Sequence, residues 1–488
     1  MSPDAPPQGP PAGPAHIRCL EARGWMKGLN TRIPFRYGAA NLVACPHFCV
    51  EFALEVDGKA VTGIAADNLP PGWFDKSGKP FAEQLADMLA AFRRAADAVL
   101  GRSGSGFSLW RDAFDHVFAT GRKAGLPDLV LAFGASLVER ALWDGLGRAK
   151  GLAFTELVRR DLFGVDWGSL DPALRGLDPG GFLPSRPLER VWARHTVGLS
   201  DPLEDGEIPA AERGTDGLPQ SLEACLAAYG YRYLKIKLSN NYERDVERLR
   251  RIGAIMQRAE SRQGAKILCT LDGNEQYKSV ADLEGIVEAL EKDPALRPFD
   301  GRVLFIEQPI ERRAAFDPER TKGLDKLPYP VIIDESDAAF EDYRRALGAG
   351  YRGTSHKNCK GILKSLVNKA RNHLAGEGAG LILSAEDLTN VGPVAVVQDL
   401  HVVASLGIEH VERNGHHYFR GLDHVSAATV DAVAQAHPGL FRREGGRATL
   451  AIDQGAIDCR GLAAPGLGGV PPRGEGWKPW EEFNIQAF

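Results

Sequence analysis

Cysteine is scarce in this chain. Seven residues among 488, scattered and odd in number, cannot build a disulfide framework, so reduced thiols in a cytoplasm are expected. Cys45 and Cys49 lie close together, but no second pair accompanies them to complete a structural zinc site. Basic charge is not in excess either. Lysine and arginine number 59 against 64 acidic residues, a net charge of −5, so no field exists to hold a nucleic-acid backbone. No apolar run reaches the roughly 18–20 residues that a membrane span needs. Neither nucleic acid nor membrane is therefore expected as a partner. The opening MSPDAPPQGPPAGPA lacks the basic and apolar parts of a signal peptide, and residues 1–16 read as a disordered tail. What remains is 44% hydrophobic and 25% charged, which excludes a disordered or fibrous chain and leaves room for a large core.

Residues 17–160 read as an α+β domain. Phe48, Val50, Phe52 and Leu54 alternate as in a strand, Asp57-Gly58 is a hairpin turn, and Lys59 to Ala65 runs back. Two helices are expected near 81–100 and 128–149; in the first, Leu85, Met88, Leu89 and Phe92 recur at helical spacing. Residues 161–190, rich in Gly, Pro and Asp, read as a linker or insertion. From about 191 to 470 the texture changes to strand, loop, helix, repeated. Candidate strands are 191–199, 233–238, 267–272, 303–307, 331–334, 352–357, 381–385 and 408–412. Apolar faces such as Val246, Leu249 and Ile252, or Leu283, Ile286, Val287 and Leu290, lie between them. Eight strands with intervening helices argue for an α/β barrel of the TIM type. The sixth strand, YRGTSHK, is too polar to stand on pattern alone. Residues 471–488 form a C-terminal segment expected to return to the first domain.

The most informative stretch is Tyr233-Leu234-Lys235-Ile236-Lys237-Leu238. Alternation puts Leu234, Ile236 and Leu238 on one face and both lysines on the other. In a barrel strand the apolar face meets the outer helices, so both ammonium groups point inward and need carboxylates nearby. On this strand alone, an exposed edge would explain the pattern as well. The next strands supply the acids: Asp272, Glu307 and Asp334 each close an apolar run, at spacings of 35, 35 and 27 residues from Lys237 onward. Strand ends of this kind form the functional face of a barrel. Three acids there make an oxygen-only site suited to Mg²⁺, with Mn²⁺ as a substitute. His416-His417, with no acid at ligand spacing, reads as a loop feature.

Lys235-Ile-Lys237, Asp272-Gly-Asn274, Ile306-Glu307-Gln308-Pro309 and Ile333-Asp334-Glu335-Ser336 together resemble the successive motifs of the enolase superfamily. They are most similar to its muconate lactonizing enzyme and dipeptide epimerase branch. The resemblance spans about 17–470 and implies a modified (β/α)7β barrel with an N-terminal α+β capping domain. It also implies Mg²⁺ on Asp272, Glu307 and Asp334, although Glu335 stands beside the third of these. In that branch a second lysine closes the sixth strand; Lys357 in Ser355-His356-Lys357-Asn358-Cys359-Lys360-Gly361 is the match, with His356 turned outward. The seventh strand ends Ser384-Ala385-Glu386-Asp387, without the histidine of the mandelate racemase branch. The stretch between Asp272 and Glu307 is longer than is usual for the branch.

The implied reaction is removal of the α-proton of a small-molecule carboxylate through an enolate, by a racemase, epimerase or cycloisomerase. Lys237 and Lys357 would act on opposite faces. Lys235 would depress the Lys237 pKa, with help from burial and the metal. Asn274 would orient a ligand or the substrate. Arg32, Phe35 and Tyr37 in TRIPFRYG and Trp73 in PPGWF resemble the cap loops that close over the mouth. Glu386 and Glu412, ending the seventh and eighth strands, are weaker candidates for substrate contact. A homo-oligomer is expected. A dehydratase of acid sugars or hydroxy acids would use the same site. A Schiff-base aldolase leaves three acids in series unexplained. A non-catalytic ligand-binding barrel leaves the intact set of lysines and acids unexplained.

Overall fold

The computed structural model describes residues 13–37, 40–444, 447–472 and 480–483. Residues 1–12 of the expected tail lie outside these, as do 473–479 and 484–488 of the C-terminal segment.

Three long antiparallel strands, Ile17–Tyr37, Ala40–Val56 and Lys59–Asn68, open the chain as a meander. Asp57 and Gly58 both take positive φ, 47° and 81°, the twist that a two-residue hairpin needs to bring Val56 opposite Lys59. Glu481–Phe483 adds a short antiparallel strand against Gly24–Met26. One face of the sheet is covered by helices Phe81–Asp97, Gly106–Lys123 and Asp128–Lys150. The first and third fall where helices were expected, the first with its periodic Met88, Leu89 and Phe92 buried. The second was not expected, because its glycines and aromatic residues have weak helix propensity. Ser105 starts it by accepting a hydrogen bond from the Ser108 amide, and burial of Phe107, Trp110, Val117 and Phe118 holds it. Residues 161–190 run as short helical turns, Trp167–Leu170 and Pro179–Phe182, with Phe163, Trp167, Leu174 and Phe182 buried.

Eight parallel strands then close a barrel: Arg190–Val197, Tyr233–Lys237, Leu268–Asp272, Val303–Glu307, Val331–Ile333, Gly353–His356, Ile382–Ala385 and His410–Glu412. Each pairs with the next, and the eighth returns to the first through His410↔Trp192, Val411↔Ala193 and Glu412↔Arg194. All eight expected strands are present, including the polar sixth. A further strand, Ala456–Asp458, pairs antiparallel with the beginning of the first. Outside lie helices Tyr242–Gln263, Ala281–Lys292 and Ile362–Ala375, with the apolar faces that their periodicity marks buried, and Ala395–Ser405, which is buried all round. Among the described residues, no helix is long and apolar enough to cross a membrane.

The sheet domain caps the barrel mouth through several polar contacts. Asn68 donates to the Thr389 carbonyl at 2.9 Å, and Glu139 accepts from the Leu363 amide at 2.5 Å. From the barrel side, Arg312 donates to the carbonyls of Trp73 and Phe74 at 3.0 and 3.2 Å.

Within the cap, the third strand lies directly on helix Asp128–Lys150 at Gly63, where an added Cβ would overlap the Ala141 carbonyl. Backbone cannot yield as a flexible side chain can. Gly63→Ala is therefore expected to destabilise the cap by about 1–3 kcal/mol. Gly28→Ala, in the same sheet but facing open space, should be near neutral. Urea unfolding followed by circular dichroism compares the two; equal midpoints would refute the close approach.

Candidate active site at the barrel mouth

The closing strands set the site. Lys237 pairs in register with Asp272, and Asp272 with Glu307, so the ends of the second, third and fourth strands are level. Lys235 lies two residues deeper on the same inward face. Its Nζ stands 2.8 Å from Glu307 Oε1, 2.9 Å from Glu386 Oε2, and 3.0 Å from both Glu412 Oε2 and Asp272 Oδ2. Four strands thus converge on one ammonium. Lys237 Nζ donates to Asp272 Oδ2 at 2.5 Å. Lys357, beyond the sixth strand, donates to Asp334 Oδ2 at 2.7 Å and lies 3.2 Å from Glu386 Oε2. The two outer lysines therefore engage different acids.

Charge is tightly packed here. Asp272, Glu307, Asp334, Glu335, Glu386 and Glu412 are all buried, against Lys235, Lys237, Lys357, Lys360 and Arg194. The acid surplus shows in Glu307, pushed well above the usual carboxylate range by burial and then by Asp272 and Glu386. Burial, then Asp334, pushes Glu335 up to about 8. Burial opposes the charge on Lys235 and Lys357, but surrounding carboxylates prevail and hold both ammoniums well above their ordinary value. At Lys237, burial and Lys235 both lower the pKa, yet the carboxylates of Asp272, Glu412 and Glu307 together outweigh them and the shift is upward. The lysine pair and burial, without a bound cation, therefore do not by themselves depress Lys237.

The oxygen donors fit a hard divalent cation. Glu307, Asp334 and Glu386 each offer an oxygen within 4.8 Å of the others, and Glu307 Oε2 is buried without a hydrogen-bond partner. Glu386, expected only as a weak substrate contact, thus belongs to the acid cluster. Asp272 adjoins it, held by Lys235 and Lys237. Glu335 turns away, accepting from Trp73 Nε1 at 3.2 Å and Asn274 Nδ2 at 3.0 Å.

The cap contributes Phe35, Leu42 and Trp73 to the lining, and the Trp73 ring lies 4.2 Å from Lys357 Nζ. Arg32 lies elsewhere: its guanidinium pairs with buried Asp216 at 2.7 Å and reaches the carbonyls of Leu218 and His417 at 2.9 Å. It ties the cap strand to barrel loops. The Tyr37 side chain is outside the described residues. Glu412 accepts from the Thr196 hydroxyl and from Asn414 Nδ2. His356 points outward to Ser365 Oγ at 2.7 Å. The sequence reading had not singled out Lys360, whose Nζ reaches Asp334 Oδ1 at 3.1 Å and Ser355 Oγ at 2.9 Å. Its one signal was the spacing Lys357-Asn-Cys-Lys360, which places both on one turn.

No protein-family model matches the sequence, and no curated protein matches it. Solved structures do match, across almost the whole chain. The L-Ala-D/L-Glu epimerase from Bacillus subtilis is 16% identical, with a TM-score of 0.58 over 93% of this chain and 99% of that one. A dipeptide epimerase from Cytophaga hutchinsonii, complexed with Mg and the dipeptide D-Ala-L-Val, is 15% identical, with a TM-score of 0.60 over 96% and 99%. A mandelate racemase/muconate lactonizing protein from Herpetosiphon aurantiacus is 18% identical, with a TM-score of 0.58 over 90% and 98%. At this identity the likeness speaks to architecture, and the architecture agrees over nearly the whole chain: the protein shares the capped barrel fold of these structures.

Proposed function

We propose that the protein is a divalent-metal-dependent enzyme that removes the α-proton of a carboxylate substrate, as a racemase, epimerase or cycloisomerase. The observation that carries this is the pair Lys237 and Lys357, each bound to a different acid on either side of one buried carboxylate cluster. Asp272, Glu307 and Asp334 would hold Mg²⁺ or Mn²⁺, with Glu386 beside them. Such a cation supplies charge to offset the negative charge that develops on a substrate carboxylate.

The remaining work falls to side chains. A lysine that gives a proton is ready as it stands, because its neighbours keep it charged. A lysine that takes one must first be neutral. The charges of Asp272, Glu412 and Glu307 together hold Lys237 protonated, so offsetting them, Asp272 first, would let Lys237 fall under the opposing pull of burial and Lys235. Lys235 keeps the acids of four strands gathered, and Trp73 covers Lys357 and excludes water from it. The Mg-dipeptide complex of the Cytophaga hutchinsonii epimerase supports the choice of cation and of a small carboxylate ligand. A cytoplasmic homo-oligomer is the expected form.

Calorimetric titration should find one Mg²⁺ site in the full chain. Asp272→Asn or Glu307→Gln should weaken it by at least about 100-fold, with the far-ultraviolet spectrum unchanged. Unaltered affinity in both variants would end the cation assignment.

A library of dipeptides and N-acyl amino acids, each enantiomer supplied separately in D2O, reads the lysines. For an epimerisation, Lys237→Ala should suppress α-proton exchange from one enantiomer and Lys357→Ala from the other, each by about 10²–10⁴. For a cycloisomerisation, one substitution alone should abolish exchange. Exchange at the wild-type rate in both would sink the two-lysine reading.

A further inference from the structure

Outside the barrel, three side chains from three elements meet at the seam where the eighth strand joins the first. Arg194 and Thr196 of the first strand reach Glu386 and Glu412 inside the barrel, so His195 between them faces outward. Cys225 comes from helix Leu222–Tyr229, and His417 from the helical turn Gly415–Tyr418 that follows the eighth strand. All three are buried. Each offers one donor atom, and the three atoms lie within 4.8 Å of one another. We propose that His195, Cys225 and His417 form a second metal site, for a borderline-soft divalent cation such as Zn²⁺, separate from the oxygen cluster inside the barrel.

The geometry is close to what such an ion requires. Zinc binds thiolate at about 2.3 Å and imidazole at about 2.0–2.1 Å, so sulfur and nitrogen on a tetrahedron stand about 3.6 Å apart. Cys225 Sγ and His417 Nδ1 are 3.7 Å apart. The two imidazole rings have centroids 5.0 Å apart and lie at 85° to each other, so they converge without stacking. His195 Nδ1 is buried and has no hydrogen-bond partner, a deficit that native packing rarely leaves. The His195 ring also stacks on Tyr231, with centroids 4.9 Å apart, which fixes its orientation.

Ligand type then selects the ion. One sulfur and two nitrogens favour zinc over magnesium, which takes oxygen. His417 also borders a cavity of about 260 Å³ shared with Asp201 and Ser200. Binding would release the Cys225 thiol proton to solvent and tie the first strand, its following helix and the segment after the eighth strand together.

The test uses the full chain, stripped with a chelator, reloaded with excess Mg²⁺ to fill oxygen-donor sites, and then given one equivalent of Zn²⁺. X-ray absorption at the zinc edge should show one sulfur with nitrogen neighbours, and the melting temperature should rise with zinc. Co²⁺ in place of Zn²⁺ should give a thiolate charge-transfer band that is lost in Cys225→Ser and retained in Cys269→Ser. An all-oxygen shell in the wild type overturns the proposal without recourse to any variant, as does a charge-transfer band that survives Cys225→Ser. Because the readout is a sulfur ligand, it does not depend on whether the barrel interior binds Mg²⁺.

Discussion

The Lys235 ammonium is the interaction on which the barrel mouth depends. It lies within 3.0 Å of carboxylates from the third, fourth, seventh and eighth strands. Without it, Asp272, Glu307, Glu386 and Glu412 would be like charges in a low-dielectric interior, an arrangement that costs several kcal/mol per uncompensated ion. With it, the strand ends are drawn to one point, and the outer lysines are left to partner the acids at the edges. Lys237 takes Asp272; Lys357 takes Asp334. The three lysines line one pocket, with Lys235 gathering the acids between the two outer ones.

The cap is positioned by the same economy of polar contacts. Arg312 binds Glu275 on the barrel and the backbone carbonyls of Trp73 and Phe74 on the cap, so the Trp73 ring is aimed from below. That ring then covers Lys357 with its face and reaches Glu335 with its indole nitrogen. Arg32 performs a comparable service on the far side, joining the long cap hairpin to the loop around Asp216. A cap held at both sides keeps apolar side chains over a highly charged floor, where water would otherwise weaken every ion pair.

Much of this was legible in the sequence because barrel strands obey a strict period of two. Lys235 and Lys237 on one face, with leucine and isoleucine on the other, left few arrangements once strands followed at regular intervals. The acids closing apolar runs then marked the functional end. Three features escaped for identifiable reasons. Helix Gly106–Lys123 is stabilised by burial of its aromatic residues and not by propensity. Arg32 looked like a cap-loop contact, but ion pairing with Asp216 depends on a fold-level approach that spacing cannot reveal. The direction of the Lys237 shift depends on the balance of burial and Lys235 against Asp272, Glu412 and Glu307, which spacing in the sequence does not reveal.

The rim shows how the pocket divides its tasks. Glu412 is committed to Lys235, Thr196 and Asn414, and Asp387 is bound by Arg413 at 2.5 Å. Arg413 in turn reaches Asp399 on helix Ala395–Ser405, so that acid pair is locked into the barrel wall. Acids satisfied in this way offer little to an incoming charged group, since each new bond would have to break an old one. Phe35, Leu42, Trp73 and Leu388 line the same cavity with largely apolar surface. On the proposed reading, the floor would fix the carboxylate and its α-carbon by charge. Discrimination among substituents would fall to an apolar rim, where a single methylene is worth only about 1–3 kcal/mol.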